Sequence, residues 1–204
     1  MTPLNRIEKD KIFAVIRDQN IENTEKIVKA VTEAGINIVE IVIETPEMVH
    51  LISKIKNENK NLLIMAGGII TQRQAQIAID AGADVIVSPV SQMNLVRLCQ
   101  TQKTPLIMTA TTPNEAYSAW KARTQLIKIS PANPMGGADY IEDMLRPMKF
   151  INIIATGSIK IEDITAYLKA GAKAVGLGRA LYKDATFEEI KNRAKQALEM
   201  VKNI

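Results

Sequence analysis

The chain has 204 residues, of which 47% are hydrophobic, 24% are charged and 4% are aromatic. This length favours one domain, residues 1–204, with a substantial core, and the composition is that of an ordinary soluble globular protein. The net charge of +4 does not indicate a nucleic-acid partner, because the densest basic cluster, Lys54, Lys56 and Lys60, is interrupted by Glu58.

Apolar stretches of strand length alternate along the chain with amphipathic segments of helical length. After a short polar opening helix, strands are predicted at 11–17, 36–43, 62–65, 85–87, 106–108, 125–131, 151–155 and 174–176. A helix is predicted after each strand, including those at 21–34, 46–57, 72–81, 113–122, 138–145, 161–170 and 187–201. Gly35, Gly82 and Gly171 each end a helix where the chain must turn into the next strand.

Eight strand–helix pairs of this kind favour a parallel sheet that is covered by helices on its outer face. Such units close naturally into a (β/α)8 TIM barrel, here with a short extra N-terminal helix. An open doubly wound sheet is the alternative. No Gly-x-Gly-x-x-Gly motif follows the first strand, so a dinucleotide site is not indicated.

Lys128 stands in the middle of an apolar run that Pro131 closes. If this run is a strand, Lys128 shares one face with Leu126 and Ser130. Lysine is rarely buried without a partner, and an apolar environment favours its neutral, nucleophilic amine. Two interpretations follow: a lysine that forms a Schiff base, or a lysine at a strand edge with its amine in solvent.

Two further ionisable residues have inward phase on other strands. Glu40 is in phase with Ile38 and Val42 on the second strand, and Arg17 falls at the C-terminal end of the first strand. Because barrel active sites form at the C-terminal ends of strands, Arg17, Glu40 and Lys128 are expected to converge on one cavity. The alternative is a buried salt-bridge network without chemistry. Its desolvation is costly, so we favour a catalytic site.

Glycine-containing segments follow the last two predicted strands. Thr156, Gly157 and Ser158 come after the seventh strand, and Gly178 and Arg179 come after the eighth. Loops in these positions bind phosphate in many barrels, and a guanidinium can hold a phosphate through two hydrogen bonds. We therefore expect a phosphate site here; the alternative is that the glycines only make tight turns.

The remaining features of the sequence indicate neither a metal-binding site nor secretion from the cell. No cluster of His, Cys, Asp or Glu has the spacing of metal ligands, His50 is expected at the surface and Cys99 in the core. A single cysteine excludes an internal disulfide framework, and neither a signal segment nor a run of membrane-spanning length is present. We expect a cytoplasmic protein with no membrane partner and no cofactor. Its mild positive charge suits small anionic substrates.

Short motifs spread nearly end to end carry a family resemblance. They are Ala14-Val15-Ile16-Arg17, Val39-Glu40-Ile41, Ala66-Gly67-Gly68, Ser88-Pro89, Thr112-Pro113, Ile127-Lys128-Ile129-Ser130-Pro131, Thr156-Gly157-Ser158 and Gly176-Leu177-Gly178. With them the chain resembles the 2-keto-3-deoxy-6-phosphogluconate (KDPG) aldolase and 4-hydroxy-2-oxoglutarate (KHG) aldolase family of class I aldolases. The glutamate on strand two together with Lys-x-x-Pro on strand six is the specific part.

The resemblance implies a homotrimeric TIM barrel without a metal. It implies cleavage of a 2-keto-3-deoxy-6-phospho sugar acid or 4-hydroxy-2-oxoglutarate to pyruvate and an aldehyde. In such an enzyme Lys128 would form a carbinolamine and then a Schiff base, and Glu40 would carry the proton. The loops that contain Thr156 and Gly178 would hold the phosphate of the substrate.

The resemblance also assigns Gly67, Gly68 and Pro89, with Arg17, to substrate binding. Three features depart from the family pattern. The family's Thr-Gly-Gly is Thr156-Gly157-Ser158 here, and its Gly-Ser after strand eight is Gly178-Arg179. Gly68 stands where members usually carry a threonine that helps to bind the pyruvyl carboxylate, and Glu44 stands where many have Arg or Thr. A carboxylate would repel an acidic substrate, so we expect either that Arg17 neutralises Glu44 or that Glu44 turns away.

Two other functions stay open at the level of the sequence. The first is a phosphosugar-binding barrel with isomerase or epimerase activity that uses Glu40 as its base. The second is a catalytically silent relative that binds only an anion or another protein. Trapping of a covalent adduct on Lys128 separates both from an aldolase.

Overall fold

Eight parallel strands close into a barrel in the computed structural model, which describes residues 1–202. Each strand pairs with its neighbours in chain order, and the last pairs with the first. The strands are β1 (Ile12–Ile16), β2 (Ile38–Val42), β3 (Leu63–Gly67), β4 (Val85–Ser88), β5 (Leu106–Ala110), β6 (Ile127–Ile129), β7 (Ile153–Thr156) and β8 (Ala174–Leu177). The predicted (β/α)8 barrel is confirmed.

Helices alternate with the strands and, apart from the first, cover the outer face of the sheet. They are α1 (Pro3–Asp10), α2 (Ile21–Ala34), α3 (Glu47–Glu58), α4 (Gln72–Asp80), α5 (Met93–Thr101), α6 (Pro113–Lys121), α7 (Gly137–Leu145), α8 (Ile164–Lys169), α9 (Arg179–Tyr182) and α10 (Phe187–Lys202). Within residues 1–202, none of them combines the length and the apolar character that crossing a membrane requires.

Two elements differ from their predicted form. β6 is shorter than the strand expected at 125–131. The amide of Ser130 still donates to the carbonyl oxygen of Ala110 at 3.2 Å, but Pro131 has no amide hydrogen with which to continue the ladder. The helix predicted after β7 begins as a 3-10 turn, Ile161–Asp163.

The two faces of each strand contribute to separate apolar layers. Val39, Ile41 and Ile127 face outward and pack in the layer between the sheet and the helices. The inward layer consists of Leu4, Ile7, Phe13, Ile38, Leu63, Met65, Val85, Val87, Ile107, Leu126, Ile154 and Ala174. The two-residue alternation of a strand produces both layers, and it confirms the inward phase predicted for Ile38 and Leu126.

The opening helix α1 seals the N-terminal end of the barrel. It was predicted as a polar helix, but Leu4 and Ile7, three residues apart on one helical face, are buried in the inward layer. The guanidinium of Arg6 donates to the carbonyl oxygens of Asn37 and Asn61, which lie just before β2 and β3. With this end closed, the interior of the barrel is accessible from the carboxyl ends of the strands.

Candidate active site

Lys128 and Glu40 meet across the interior of the barrel. Lys128 is the middle residue of β6 and Glu40 the middle residue of β2, on opposite sides of the closed sheet. The amine Nζ lies 2.6 Å from Oε1 and 2.8 Å from Oε2 of the carboxylate. The two residues are only 8% and 2% exposed. Lys128 is therefore a buried, paired lysine, and its interpretation as a strand-edge lysine with its amine in solvent is wrong.

Two glycines allow close packing in the barrel interior, one against Glu40 and one against Phe13 and Thr156. A Cβ on Gly67, at the end of β3, would lie 2.6 Å from Oε1 of Glu40. A Cβ on Gly176, in β8, would lie 2.5 Å from ring atoms of Phe13 and 2.6 Å from the methyl group of Thr156. A larger residue at either position would displace these side chains.

A cavity of about 430 Å³ opens directly above the pair, at the carboxyl ends of the strands. Its lining combines an amine, a carboxylate, two guanidinium groups and several hydroxyl groups. The lining residues are Val15, Arg17, Glu40, Lys128, Ser130, Thr156, Gly157, Ser158, Gly176, Gly178, Arg179 and Tyr182. A cavity of this size can hold a small molecule. No group of three or more His, Cys, Asp or Glu within residues 1–202 could hold a metal ion.

Arg17 lies at the mouth of this cavity, where its side chain is 65% exposed. Its Nη1 is 3.7 Å from Oε1 of Glu44, whose side chain is 28% exposed and does not line the cavity. The positive charge of Arg17 thus offsets the negative charge of Glu44, and Glu44 lies outside the cavity lining, so both alternatives drawn from the sequence apply. A pair this exposed contributes little to stability but sets the local charge at the mouth.

The segments after β6 and β7 lie against each other beside the cavity. The amides of Ala132 and Asn133 donate to the carbonyl oxygens of Thr156 and Gly157 at 2.8 and 3.2 Å. Gly157 has φ +98°, and a Cβ there would lie 2.6 Å from Cα of Pro131. Glycine is required at this position both by the backbone conformation and by the close approach of the two segments.

Comparison with known proteins identifies the family of this chain. The model of the KDPG and KHG aldolase family matches residues 4–198. The chain belongs to this family. It is 29% identical over 182 residues to the probable 2-dehydro-3-deoxy-6-phosphogalactonate aldolase of Rhizobium meliloti, covering 89% of this chain and 85% of that protein. It is 24% identical to the 2-dehydro-3-deoxy-phosphogluconate aldolase of Haemophilus influenzae, covering 98% of this chain and 96% of that protein.

A solved member of the KDPG aldolases has the same fold. The KDPG aldolase of Legionella pneumophila, with pyruvate captured as a covalent carbinolamine intermediate, superposes with a TM-score of 0.82. The sequences are 23% identical, and the match covers 98% of this chain and 96% of that chain. At this identity the likeness shows the barrel fold.

The fold brings most of the predicted site residues to one place in this aldolase-family chain. The predicted residues that line the cavity are Arg17, Glu40, Lys128, Thr156, Gly157, Ser158, Gly178 and Arg179. Gly67 lies beside the carboxylate of Glu40 without lining the cavity. Gly68 and Pro89 do not line it either: a Cβ on Gly68 would lie 3.2 Å from Val42, and Pro89 is exposed after β4.

Sequence reasoning did not assign Ser130 and Tyr182 to the site. Ser130 follows Lys128 by two residues, so the strand alternation was a sufficient signal for it. Tyr182 ends the four-residue helix α9, and its hydroxyl group accepts a hydrogen bond from the amide of Arg17 at 3.2 Å. This contact joins residues 165 positions apart, and no periodic pattern indicates it.

Proposed function

We propose that this protein is a class I aldolase. It cleaves a 2-keto-3-deoxy-6-phospho sugar acid or 4-hydroxy-2-oxoglutarate to pyruvate and an aldehyde. The observation that carries the proposal is the buried contact of 2.6 Å between the Lys128 amine and the Glu40 carboxylate at the floor of an open cavity. Membership of the KDPG and KHG aldolase family supports it.

Lys128 is the nucleophile in this proposal. Its neutral amine attacks the C2 carbonyl of the keto acid to form a carbinolamine, and loss of water gives an iminium ion. The iminium accepts the electron pair of the C3–C4 bond as that bond breaks, while the C4 hydroxyl group loses its proton and becomes the aldehyde. The enamine then takes up a proton at C3, and hydrolysis releases pyruvate and the free amine. The carbinolamine of pyruvate captured on the Legionella enzyme supports this sequence.

Glu40 carries the protons that these steps require. Its carboxylate accepts a hydrogen bond from Lys128 Nζ at 2.6 Å, so a proton can pass between the two groups over a short distance. Because Glu40 lines the same cavity, it can also reach the C4 hydroxyl group of a bound substrate, directly or through one water molecule. The iminium is the electron sink, so the proposed chemistry requires no metal or cofactor.

The far side of the cavity holds the phosphate in this proposal. Thr156, Gly157, Ser158, Gly178 and Arg179 line it after β7 and β8. Hydroxyl groups, backbone amides and a guanidinium are the groups that proteins use for phosphate, and Arg179 supplies the charge. A substrate without its terminal phosphate is expected to have a higher KM.

Reductive trapping tests the proposed function. Incubation with pyruvate and sodium borohydride, followed by peptide mass spectrometry, is expected to give a stable adduct on Lys128. The adduct must be absent in Lys128→Met and retained in Lys195→Met, which replaces an exposed lysine on α10. Absence of any adduct in the unaltered protein over the pH range in which it is folded would overturn the aldolase proposal. It would favour the isomerase or silent-binder alternatives.

We also propose that residues 1–204 form one domain and that the protein is a cytoplasmic homotrimer. The family resemblance supports the trimer, and so do exposed apolar side chains after β3 and β4. Ile70, Val90 and Met93 are 48%, 44% and 63% exposed. Light scattering coupled to size-exclusion chromatography measures the assembly. A mass of one chain at micromolar concentration would contradict the trimer.

A further inference from the structure

Tyr182 is a cavity-lining residue to which the proposed mechanism gives no role. It ends helix α9, is half-buried, and lines the cavity together with Lys128 and Glu40. Its hydroxyl oxygen accepts a hydrogen bond from the backbone amide of Arg17, at the end of β1. The phenol therefore joins the segment after β8 to the segment after β1, at the mouth of the site.

The hydroxyl hydrogen of Tyr182 remains available to a ligand. A phenol can accept and donate at the same time, and the Arg17 amide uses only an acceptor position. In the part of the chain that the structure describes, the amide is its one hydrogen-bond partner. Burial raises the pKa of Tyr182, and the charge of Asp18 adds to this effect, so the phenol keeps its proton at neutral pH.

The surroundings of this hydroxyl group are those of an anion site. The negative charge of Asp18 and the positive charges of Arg17 and Arg179 all act on the Tyr182 phenol, but only the two arginines line the cavity with it. Glu44 cancels part of the charge of Arg17, since their side chains are 3.7 Å apart. A neutral donor that shares the cavity with two guanidinium groups, one of them partly neutralised, gives an anion a directional hydrogen bond that charge alone does not supply.

We propose that Tyr182 is a specificity-determining residue whose hydroxyl group donates a hydrogen bond to the distal anionic group of the keto acid. The distal group is the phosphate of a six-carbon sugar acid or the second carboxylate of 4-hydroxy-2-oxoglutarate. The inference rests on the proposed aldolase function and adds to it the group that recognises the far end of the substrate. Tyr182 takes no part in the covalent steps at Lys128.

Substrate comparison in Tyr182→Phe tests this inference, because the variant removes only the hydroxyl group. KM is expected to rise about 10- to 100-fold for KDPG, since a hydrogen bond to a charged group is lost. A similar rise in KM for 4-hydroxy-2-oxoglutarate would mean that the Tyr182 hydroxyl binds both the phosphate and the second carboxylate. A rise in KM for KDPG alone would mean that it binds only the phosphate. KM is expected to stay constant for 4-hydroxy-2-oxobutanoate, which has no distal anion. The kcat values are expected to change less than about twofold.

A matched control separates recognition from structure. Tyr140→Phe removes a phenol hydroxyl that donates to the carbonyl oxygen of Thr111 outside the cavity, and it is expected to leave every KM unchanged. If Tyr182→Phe raised KM equally for all three substrates, Tyr182 would act only as a structural link to Arg17. That result would overturn the inference. Unchanged KM values for the anionic substrates would also overturn it.

A measurement on the unaltered protein covers the case in which Tyr182→Phe does not fold. Inorganic phosphate is expected to slow nitration of Tyr182 by tetranitromethane, read by peptide mass spectrometry. Nitration of Tyr117, which is 44% exposed on α6, must stay constant. Equal nitration of Tyr182 with and without phosphate would contradict the inference. Borohydride trapping with pyruvate tests the aldolase proposal separately. Pyruvate has no distal anion, so its adduct on Lys128 does not depend on Tyr182.

Discussion

Removal of one member of the Lys128–Glu40 pair is expected to destabilise the protein more than removal of both. At the observed 2.6 Å, and with an effective dielectric constant of about 20, the Coulomb attraction is about 6 kcal/mol. Desolvation costs several kcal/mol for each ion, so the intact pair is close to neutral for stability. With one partner gone the attraction is lost, whereas the desolvation of the other charge remains.

The free energy of unfolding in urea, measured for a double-mutant cycle, tests this reasoning. Lys128→Met and Glu40→Gln are each expected to lower it by about 3–5 kcal/mol. The double variant is expected to lose about 2 kcal/mol or less, because it leaves no uncompensated charge in the barrel. An exposed pair, Lys54 and Glu25 at 2.6 Å, is the matched control and is expected to show a much smaller coupling.

Additive losses in the Lys128–Glu40 cycle would refute the reasoning. They would mean that water reaches both groups in solution and that the amine is not held in a desolvated setting. The control cycle guards against a general effect of removing charge, since it replaces the same residue types at the surface.

Three further predictions follow from single positions. Gly67→Ala places a Cβ 2.6 Å from Oε1 of Glu40, so the carboxylate must move. We expect kcat of the proposed aldolase to fall about 10- to 100-fold. An unchanged kcat in steady-state assays would contradict this prediction. Glu44→Thr removes the carboxylate that lies 3.7 Å from Arg17 and leaves the charge of Arg17 unpaired. We expect kcat/KM for a phosphorylated keto acid to rise. An equal or lower kcat/KM would show that Glu44 does not repel the substrate. Burial raises the pKa of the Cys99 thiol to about 11. Iodoacetamide at pH 8 is therefore expected to label Cys99 in urea but not in the native protein. Fast labelling of the native protein would show that Cys99 is not buried.

The barrel and the centre of its site could be predicted because both depend on short-range periodicity. A two-residue period fixes which strand residues face inward, and it places Glu40 and Lys128 in one interior, with Arg17 at its mouth, without knowledge of their partners. Because all strands of a parallel barrel run in one direction, residues in the middle of different strands lie at a similar depth in its interior. The contact between residues 88 positions apart follows from these two facts.

The loops around the site could not be predicted in the same way. Gly68 and Pro89 both follow strand ends, yet the chain carries them away from the cavity, because a loop's path depends on its backbone angles rather than on alternation. Tyr182 reaches the cavity through a helix of four residues, too short to give a hydrophobic period. The burial of Leu4 and Ile7 was visible as a helical spacing, but the sequence did not indicate which end of the barrel they close.

The open cavity above the pair argues against a purely structural salt bridge. In a network whose only role is stability, close packing favours side chains that fill the space next to the buried charges. Above Lys128 and Glu40, however, about 430 Å³ stays open, and both side chains line this space. Open space beside a desolvated amine has a cost in stability, and a substrate that enters it accounts for that cost. The cavity and the pair are therefore best understood as one site.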